Sequence, residues 1–350
     1  MFELSDLTLP IIQAPMAGGI SSPSLASAVS NFGGIGSFGF AYSTPEEINS
    51  TLNITRKLTK GPINTNFFVF DLVGSPSPQR NAKALAALNS LPIAKNLLLK
   101  LPDKPHFPDL ELQLEPIWLH KPQILTFHLG IPPREVIDRA RGLGILVGVT
   151  ATSLYEADLI EKAGAGFIVA QGIEAGGHRG KFSNNLPDEE TCLANLVGDL
   201  IEHVKIPVVA SGGLMSGSDV GRMLDCGAAA AQMGTAFLCC DEAGTSATYR
   251  RFLLNEKDRQ TRLTASFSGR RARGISNLFM ELMENKITLP FPVQNTITAE
   301  VRKKAESIGD GEYLSLWAGT SFEKIRALSA TELMQEIEKE LKSFNEKVDL

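Results

Sequence analysis

Eight short apolar segments, most of them followed by a stretch with a helical pattern, constrain the fold of this chain more than any other feature. Their apolar side chains occupy both alternations, as in strands buried on both faces of a parallel sheet. The segments are Ile11–Met16, Gly33–Phe40, Ile63–Val69, Ile124–Gly130, Gly144–Thr150, Gly166–Gly172, Pro207–Gly213 and Ala228–Phe237. Eight strands that alternate with helices predict an α/β fold of the closed (β/α)8 TIM-barrel type rather than an open doubly wound sheet.

Helix-start signals support this alternation. Thr44 is followed by proline and then by Glu47, which together form a predicted capping box. A second box is predicted at Ser153 and Glu156, after the fifth strand. A third, at Ser329 and Glu332, predicts a C-terminal helix.

Two segments interrupt the alternation and suggest additions to the barrel. Residues 71–123 follow the third strand and are too long for an ordinary loop, so they predict an insertion over the barrel mouth. Residues from about 241 onward lack strand signals. We therefore expect a barrel over residues 1–240 and a smaller, mainly helical domain over 241–350 that covers the active site and includes the C-terminal helix.

Composition excludes several classes of function. A net charge of −5 on 350 residues argues against nucleic acid as a partner, because phosphate neutralisation needs an excess of clustered cations. The four cysteines have no CxxC spacing, so neither a disulfide framework nor a metal site is expected. Glu3 and Asp6 precede the first cation, Arg56, and no apolar stretch reaches the roughly 18 residues of a membrane helix. We expect a cytoplasmic protein without a membrane partner.

The ends of the last three barrel strands carry the residues best suited to chemistry. The segment Gln171–Gly180 is rich in glycine, which permits close approach of a ligand, and contains His178, a side chain suited to proton transfer near neutral pH. The next two strands end in SGGLMSG (residues 211–217) and contain QMGT (residues 232–235). Loops at these positions commonly bind phosphate, so the pattern predicts a phosphorylated cofactor.

Other candidates have both a structural and a functional interpretation. Asn66 lies inside a strand and needs a partner, which the backbone or a ligand can supply. His128 is either part of a pocket wall or a satisfied core histidine. Arg270, Arg271 and Arg273 could bind an anion or belong to a solvated basic loop.

The segment Gly34–Gly39 matches the GxGxxG pattern of dinucleotide-binding folds. That fingerprint follows a strand, opens a helix and has an acidic residue about 20 positions later. Here the preceding segment has a helical pattern, and no Asp or Glu occurs between Ile48 and Phe70. We therefore reject a Rossmann interpretation.

Taken as a set, the motifs resemble the nitronate monooxygenase family. The most specific of them is EAGGHRG, within residues 171–180. The others are QAPMAGG (13–19), NFF (66–68), TFHLG (126–130), ASGGLMSG (210–217), QMGTAFL (232–238) and SGRRARG (268–274).

This resemblance implies a barrel that binds FMN non-covalently and oxidises alkyl nitronates, such as propionate 3-nitronate, with O2 to a carbonyl compound and nitrite through a flavin semiquinone. It implies that His178 is the catalytic histidine and the base for neutral nitroalkanes. Some members carry tyrosines in the segment that matches residues 289–295, where this chain has Phe291, so its substrate preference is expected to differ. The family's FMN-binding positions fall on Asn66, Gln171, Gly176, Gly213, Gln232, Met233, Gly234 and Thr235.

Two other functions stay open. The first is an FMN-dependent reductase that uses NAD(P)H, of the enoyl-acyl-carrier-protein reductase or quinone reductase type; the His178-Arg179 pair favours the nitronate enzyme. The second is a non-catalytic barrel that binds a phosphorylated ligand. The expected partners are a small nitronate and O2, and the sequence is compatible with a homodimer.

Overall fold

Parallel strands form a closed barrel in the computed structural model, which describes residues 2–71, 76–183 and 187–348. In chain order the strands are β1 (Ile11–Gln13), β2 (Gly36–Gly39), β3 (Ile63–Phe68), β4 (Ile124–His128), β5 (Leu146–Ala151), β6 (Phe167–Gln171), β7 (Gly177–His178), β8 (Val208–Ser211), β9 (Ala230–Met233), β10 (Thr261–Thr264) and β11 (Ala272–Ile275). Eight of them pair in the order β1-β9-β8-β6-β5-β4-β3-β2, and a bridge between Ile12 and Ile35 closes the ring. Each predicted segment overlaps one barrel strand, so the predicted (β/α)8 barrel is confirmed.

Helices follow most of the barrel strands. They are α1 (Pro23–Phe32), α2 (Pro45–Leu58), α3 (Pro78–Asn89), α4 (Leu110–His120), α5 (Arg134–Gly142), α6 (Leu154–Ala163), α7 (Leu193–His203), α8 (Gly217–Asp225), α9 (Ala247–Asn255), α10 (Leu278–Leu282), α11 (Val293–Ser307) and α12 (Ala330–Val348). The capping boxes predicted at the starts of α2 and α12 are confirmed. At α6, Ser153 caps the helix as predicted. The Glu156 carboxylate, however, accepts from the Thr152 N–H and not from the Ser153 N–H that a capping box requires. None of the helices within the described ranges is long and apolar enough to cross a bilayer.

Side chains inside the barrel divide into an apolar floor and a polar rim. Because strand side chains alternate, every second residue points inward. The floor is a separate apolar cluster formed by Leu4, Ile12, Ile35, Ile124, Phe167, Val169, Val209 and Ala230. The same alternation places Asn66, His128, Gln171, Ser211 and Gln232 on the inner face at the carboxyl ends of their strands. The barrel therefore offers polar groups to a ligand at its carboxyl end.

The glycines of the GxGxxG pattern allow close packing around β2. A Cβ atom at Gly34 would lie 2.7 Å from the Ile11 carbonyl oxygen, and one at Gly39 would lie 2.6 Å from the Ala17 nitrogen. A Cβ atom at Gly36 would overlap the Ala26 backbone in α1. The pattern follows a helix and contains a strand, which confirms that it is not a dinucleotide fingerprint.

The predicted insertion at residues 71–123 is shorter than expected. Helix α4 packs against α2, so residues 110–120 belong to the ring of barrel helices and not to an insertion. The earlier part contacts α11 through the turn Pro92–Ala94 and contributes Phe107, whose ring centroid is 5.8 Å from that of Phe291. Residues 72–75 of the predicted insertion lie outside the described ranges.

The region after residue 241 is mainly helical, but it contains two strands that the sequence analysis did not predict. Strand β11 pairs antiparallel with both β10 and β7 in a three-stranded sheet. Its four residues, ARGI, include only one of the β-branched or aromatic residues that identify strands, Ile275. Helix α12 packs along α8 and α1 on the outside of the barrel. The division into a barrel over 1–240 and a second domain over 241–350 stays a proposal.

The contact between α8 and α12 gives a stability test. A Cβ atom at Gly217 would overlap the Ile337 carbonyl oxygen. We expect Gly217→Ala to lower the free energy of unfolding by about 1–3 kcal/mol, the usual cost of overpacking. Gly198, in α7, has open space around its Cβ position. Gly198→Ala should therefore raise the free energy of unfolding by up to about 1 kcal/mol, because alanine favours helix. Denaturant unfolding measures the free energy of unfolding of both variants. Changes of the same sign in Gly217→Ala and Gly198→Ala would contradict this account.

Candidate active site

His178 lies in a loop that follows β6 and joins the barrel to the C-terminal sheet. In the pairing of β7 with β11, His178 is opposite Ala272. The side chain of Gln171 holds the loop from the barrel side. Its Nε2 donates to the His178 carbonyl oxygen at 2.9 Å, and its Oε1 accepts from the Gly180 N–H at 2.7 Å. The predicted catalytic histidine is therefore fixed at the carboxyl end of the barrel from two sides.

A buried ion pair anchors the same loop. Arg179 is 2% exposed and donates to the two carboxylate oxygens of Asp188 at 3.1 and 3.2 Å. Its Nη1 also donates to the carbonyl oxygens of Gln171 and Gly172, both at 3.0 Å. Burial acts to raise the pKa of Asp188, but the hydrogen bond and charge of Arg179 lower it overall. A bidentate pair with further hydrogen bonds satisfies the buried charges, so Arg179 serves to hold the loop.

The three arginines of residues 268–274 fasten this loop to the C-terminal sheet. A solvated basic loop does not describe all three, because Arg270 is buried, and the anion grip stays a prediction. Arg270 is 5% exposed, and its Nε has no partner among the described residues. The acceptors of Arg270, Arg271 and Arg273 include the Lys181 carbonyl, the Asp188 and Glu190 carboxylates and the Ile173 carbonyl.

Ser268 orients the imidazole of His178, a role that the sequence analysis missed. The Nε2 atom of His178 is 2.9 Å from the Ser268 Oγ, and this hydroxyl donates its one proton to the Arg270 carbonyl oxygen, also at 2.9 Å. We therefore assign the proton of His178 to Nε2, which donates to Ser268. The Nδ1 atom is then unprotonated and is the atom that can accept a proton from a ligand.

Aromatic rings surround the imidazole. The ring centroids of Phe68, Phe291 and Trp317 lie 5.9, 5.6 and 5.7 Å from that of His178. Two further rings continue this surface, at 6.0 and 6.4 Å from Phe68. We call the five the aromatic wall: Tyr42, Phe68, Phe107, Phe291 and Trp317. These residues come from distant parts of the chain, so the sequence alone does not show that their rings form one surface.

Burial and basic neighbours keep His178 neutral. Burial, and then the proximity of His128, Arg270 and Arg302, lowers the pKa of His178 to about 3. Burial likewise lowers the pKa of His128 to about 4. The His128 Nε2 donates to the His178 carbonyl oxygen at 3.0 Å, so His128 is both a satisfied histidine and a part of the pocket wall. Both imidazoles are uncharged at neutral pH.

The predicted phosphate-binding residues present unused N–H groups. Gly213, Gly234 and Thr235 follow β8 and β9, and their backbone N–H groups donate to no acceptor in the described part of the chain. The Thr235 Oγ1 accepts from the Gly319 N–H at 3.0 Å. Gln232 donates to the Ser211 hydroxyl at 3.2 Å. Free N–H groups at these two strand ends are suited to phosphate oxygens.

The other predicted cofactor residues differ in what they offer. The side-chain carbonyl oxygen of Asn66 has no hydrogen-bond partner within the described ranges, so it is available to a ligand. Gln171 uses both amide atoms in the loop. Gly176 allows the backbone to pass close to Gly319, because a Cβ atom at Gly176 would lie 2.6 Å from the Gly319 nitrogen. Met233 is 1% exposed and points into the outer core, so only its backbone can face a ligand. The described residues contain no group of three His, Cys, Asp or Glu suited to a metal.

Comparisons with known proteins agree on one family. The family model described as nitronate monooxygenase matches residues 2–340. A nitronate monooxygenase of Pseudomonas aeruginosa is 38% identical over 352 residues, which cover 97% of this chain and 98% of that protein. A crystal structure of a nitroalkane oxidase from Streptomyces ansochromogenes superposes with a TM-score of 0.91 at 35% identity and covers 98% of this chain and 99% of the other. FabK from Thermotoga maritima is similar with a TM-score of 0.76 at 25% identity, covering 99% and 96%.

The contact between Ser268 and His178 predicts a fixed tautomer. Nitrogen NMR of protein labelled at histidine should show that Nε2 of His178 carries the proton, and Ser268→Ala should give a mixture of tautomers. Ser266→Ala is the matched control, because it removes a buried hydroxyl from the same loop, where Ser266 contacts Thr264. An unchanged tautomer in Ser268→Ala, or an equal change in the control, would contradict the assignment.

Proposed function

The chain belongs to the nitronate monooxygenase family, and from this membership and the geometry of the pocket we propose that it oxidises alkyl nitronates with O2 to a carbonyl compound and nitrite, with FMN as its flavin. The observation that carries the proposal is a neutral imidazole, enclosed by aromatic rings and basic groups, at the carboxyl end of the barrel. Propionate 3-nitronate is one substrate that we expect. A cytoplasmic location and a homodimer stay predictions.

The residues at the rim fit a flavin mononucleotide. The free N–H groups of Gly213, Gly234 and Thr235 would hold its phosphate, and the unpaired carbonyl oxygen of Asn66 would accept from a donor on the ring. Gly177 adds space beside His178, because no described atom outside residues 176–178 lies within 4 Å of its Cβ position. A bound flavin supplies the electron-transfer chemistry, and the protein supplies placement and electrostatics.

The state of His178 favours a substrate that is already ionised. Its Nδ1 can take a proton from the carbon beside a nitro group. A base is most efficient, however, when its pKa lies near the working pH, and the pKa of His178 is about 3. Oxidation of a nitronate needs no proton abstraction, so the low basicity of the imidazole does not slow this reaction. We infer that the nitronate, rather than the neutral nitroalkane, is the principal substrate.

Replacing His178 should separate the two substrates. We expect His178→Asn to reduce turnover of a neutral nitroalkane by ~100-fold or more, the usual loss when a general base is removed, and to reduce nitronate turnover far less. Flavin content should stay unchanged. His203→Asn is the control, because His203 lies on α7 and pairs with Asp158. Equal losses for the two substrates, or loss of flavin, would show that His178 is structural.

The pH profile tests the same group. Because burial and basic neighbours lower the pKa of His178 to about 3, the base stays unprotonated through the range in which an ordinary histidine takes up its proton. Nitroalkane kcat/KM should therefore show no acid limb near the ordinary value of about 6.5. A profile that falls through that value would mean that the imidazole titrates normally.

Mixing with a nicotinamide distinguishes this function from the reductase alternative. The likeness to FabK is the observation that keeps the alternative open. We expect the flavin absorbance of the purified enzyme to stay unchanged when NADH or NADPH is added without O2. With a nitronate in air, O2 uptake should accompany nitrite release. Rapid bleaching by NADH or NADPH would reject the monooxygenase assignment, and failure to bind FMN would favour a non-catalytic barrel.

A further inference from the structure

Arg302 brings a guanidinium group to the pocket without forming an ion pair in the part of the chain that is described. Its Nη1 donates to the Asn295 side-chain oxygen at 3.2 Å, and its Nη2 donates to the Asn295 carbonyl oxygen at 3.0 Å. A guanidinium has five N–H donors, so three of those of Arg302 are left for another partner. These two bonds position the side chain but do not neutralise its charge.

The hydrogen bonds to Asn295 hold this charge near the start of α11, close in sequence to Phe291 of the aromatic wall. Long side chains on a helix point toward its N-terminus, and Asn295 lies in the first turn of α11, four residues after Phe291. The charge acts on two pocket groups. It is one of the neighbours that lower the pKa of His178, and it opposes the effect of burial on Tyr42, whose pKa is raised to about 12.

Among the described residues, the other cation that acts on His178 is Arg270, and Arg270 already donates to the Lys181 carbonyl oxygen. His178 and His128 are neutral at physiological pH, and the rings of the aromatic wall carry no charge. Burial lowers the pKa of Arg302 to about 10, so it stays protonated at neutral pH. A partly buried cation that has no carboxylate partner among the described residues is costly, and an anionic ligand would lower that cost.

We propose that Arg302 receives the negative charge of the bound substrate and so distinguishes an ionised nitronate from the neutral nitroalkane; this inference rests on the proposed function. The nitronate group has two oxygens in one plane with its nitrogen, and a planar guanidinium binds such a pair of oxygens with two parallel hydrogen bonds. Arg302 thereby supplies the positive charge that the neutral His178 cannot.

The test compares substitutions at two neighbouring positions on one helix. Arg302→Gln should raise KM for a nitronate about 10- to 100-fold, the effect of losing a charge-assisted hydrogen bond, and should leave the nitroalkane KM nearly unchanged. Arg302→Lys should recover part of the loss. Lys303→Gln is the matched control, because it removes the same charge from an exposed neighbouring position. Flavin content is measured in every variant.

A second measurement does not depend on turnover. Inorganic nitrate resembles the planar head of a nitronate. Its binding can be followed by flavin absorbance and by tryptophan fluorescence, because Trp317, one of the two tryptophans, lies in the aromatic wall. Nitrate should bind the wild type and Lys303→Gln equally, and Arg302→Gln about 10-fold or more weaker. If the wild type failed to oxidise nitronates, the proposed function would be wrong, and nitrate binding would still decide the role of Arg302.

Three results would overturn the inference. The first is an equal loss of activity toward the nitronate and the nitroalkane in Arg302→Gln. The second is a loss of flavin from that variant, which would assign Arg302 to the cofactor. The third is nitrate binding that Arg302→Gln leaves unchanged.

Discussion

Closure of the barrel between Ile12 and Ile35 is the constraint on which the rest of the structure depends. A closed ring forces every second side chain of eight strands into one narrow interior. Polar groups within it have little access to water, so they bond to one another: Asn66 donates to Thr126, Thr126 to Asn64, and Asn64 to Ser37. This series ends at the rim, where the Asn66 carbonyl oxygen is left for a ligand.

Arginines in this protein serve two different purposes, and their partners decide which. Arg179 is buried against a carboxylate and several carbonyl groups, so its charge is satisfied and it fixes the loop that carries His178. Among the described residues, Arg302 bonds to Asn295 and to no carboxylate, so its charge acts on the pocket. Residue type alone does not separate a structural arginine from one that shapes the electrostatic potential of a site.

Local patterns in the sequence predicted the parts of the fold that local interactions determine. Apolar runs located the eight barrel strands, and the capping residues Thr44 and Ser329 located two helix starts. Contacts between distant segments were not predictable in this way. Ser268 is 90 residues from His178 in sequence, and the pairing of β11 with β7 joins segments that are about as far apart. The contacts of Arg270, Arg271 and Arg273 were missed for the same reason.

The pairing of β7 with β11 also has a consequence for synthesis of the protein. A ribosome completes all eight barrel strands before it reaches Ser268, β11 and Trp317, which position and enclose the imidazole. A nascent chain that has formed the barrel therefore still has an unoriented histidine. The reactive geometry arises only after these later segments have been synthesised, so a product terminated before Ser268 would lack it even with an intact barrel.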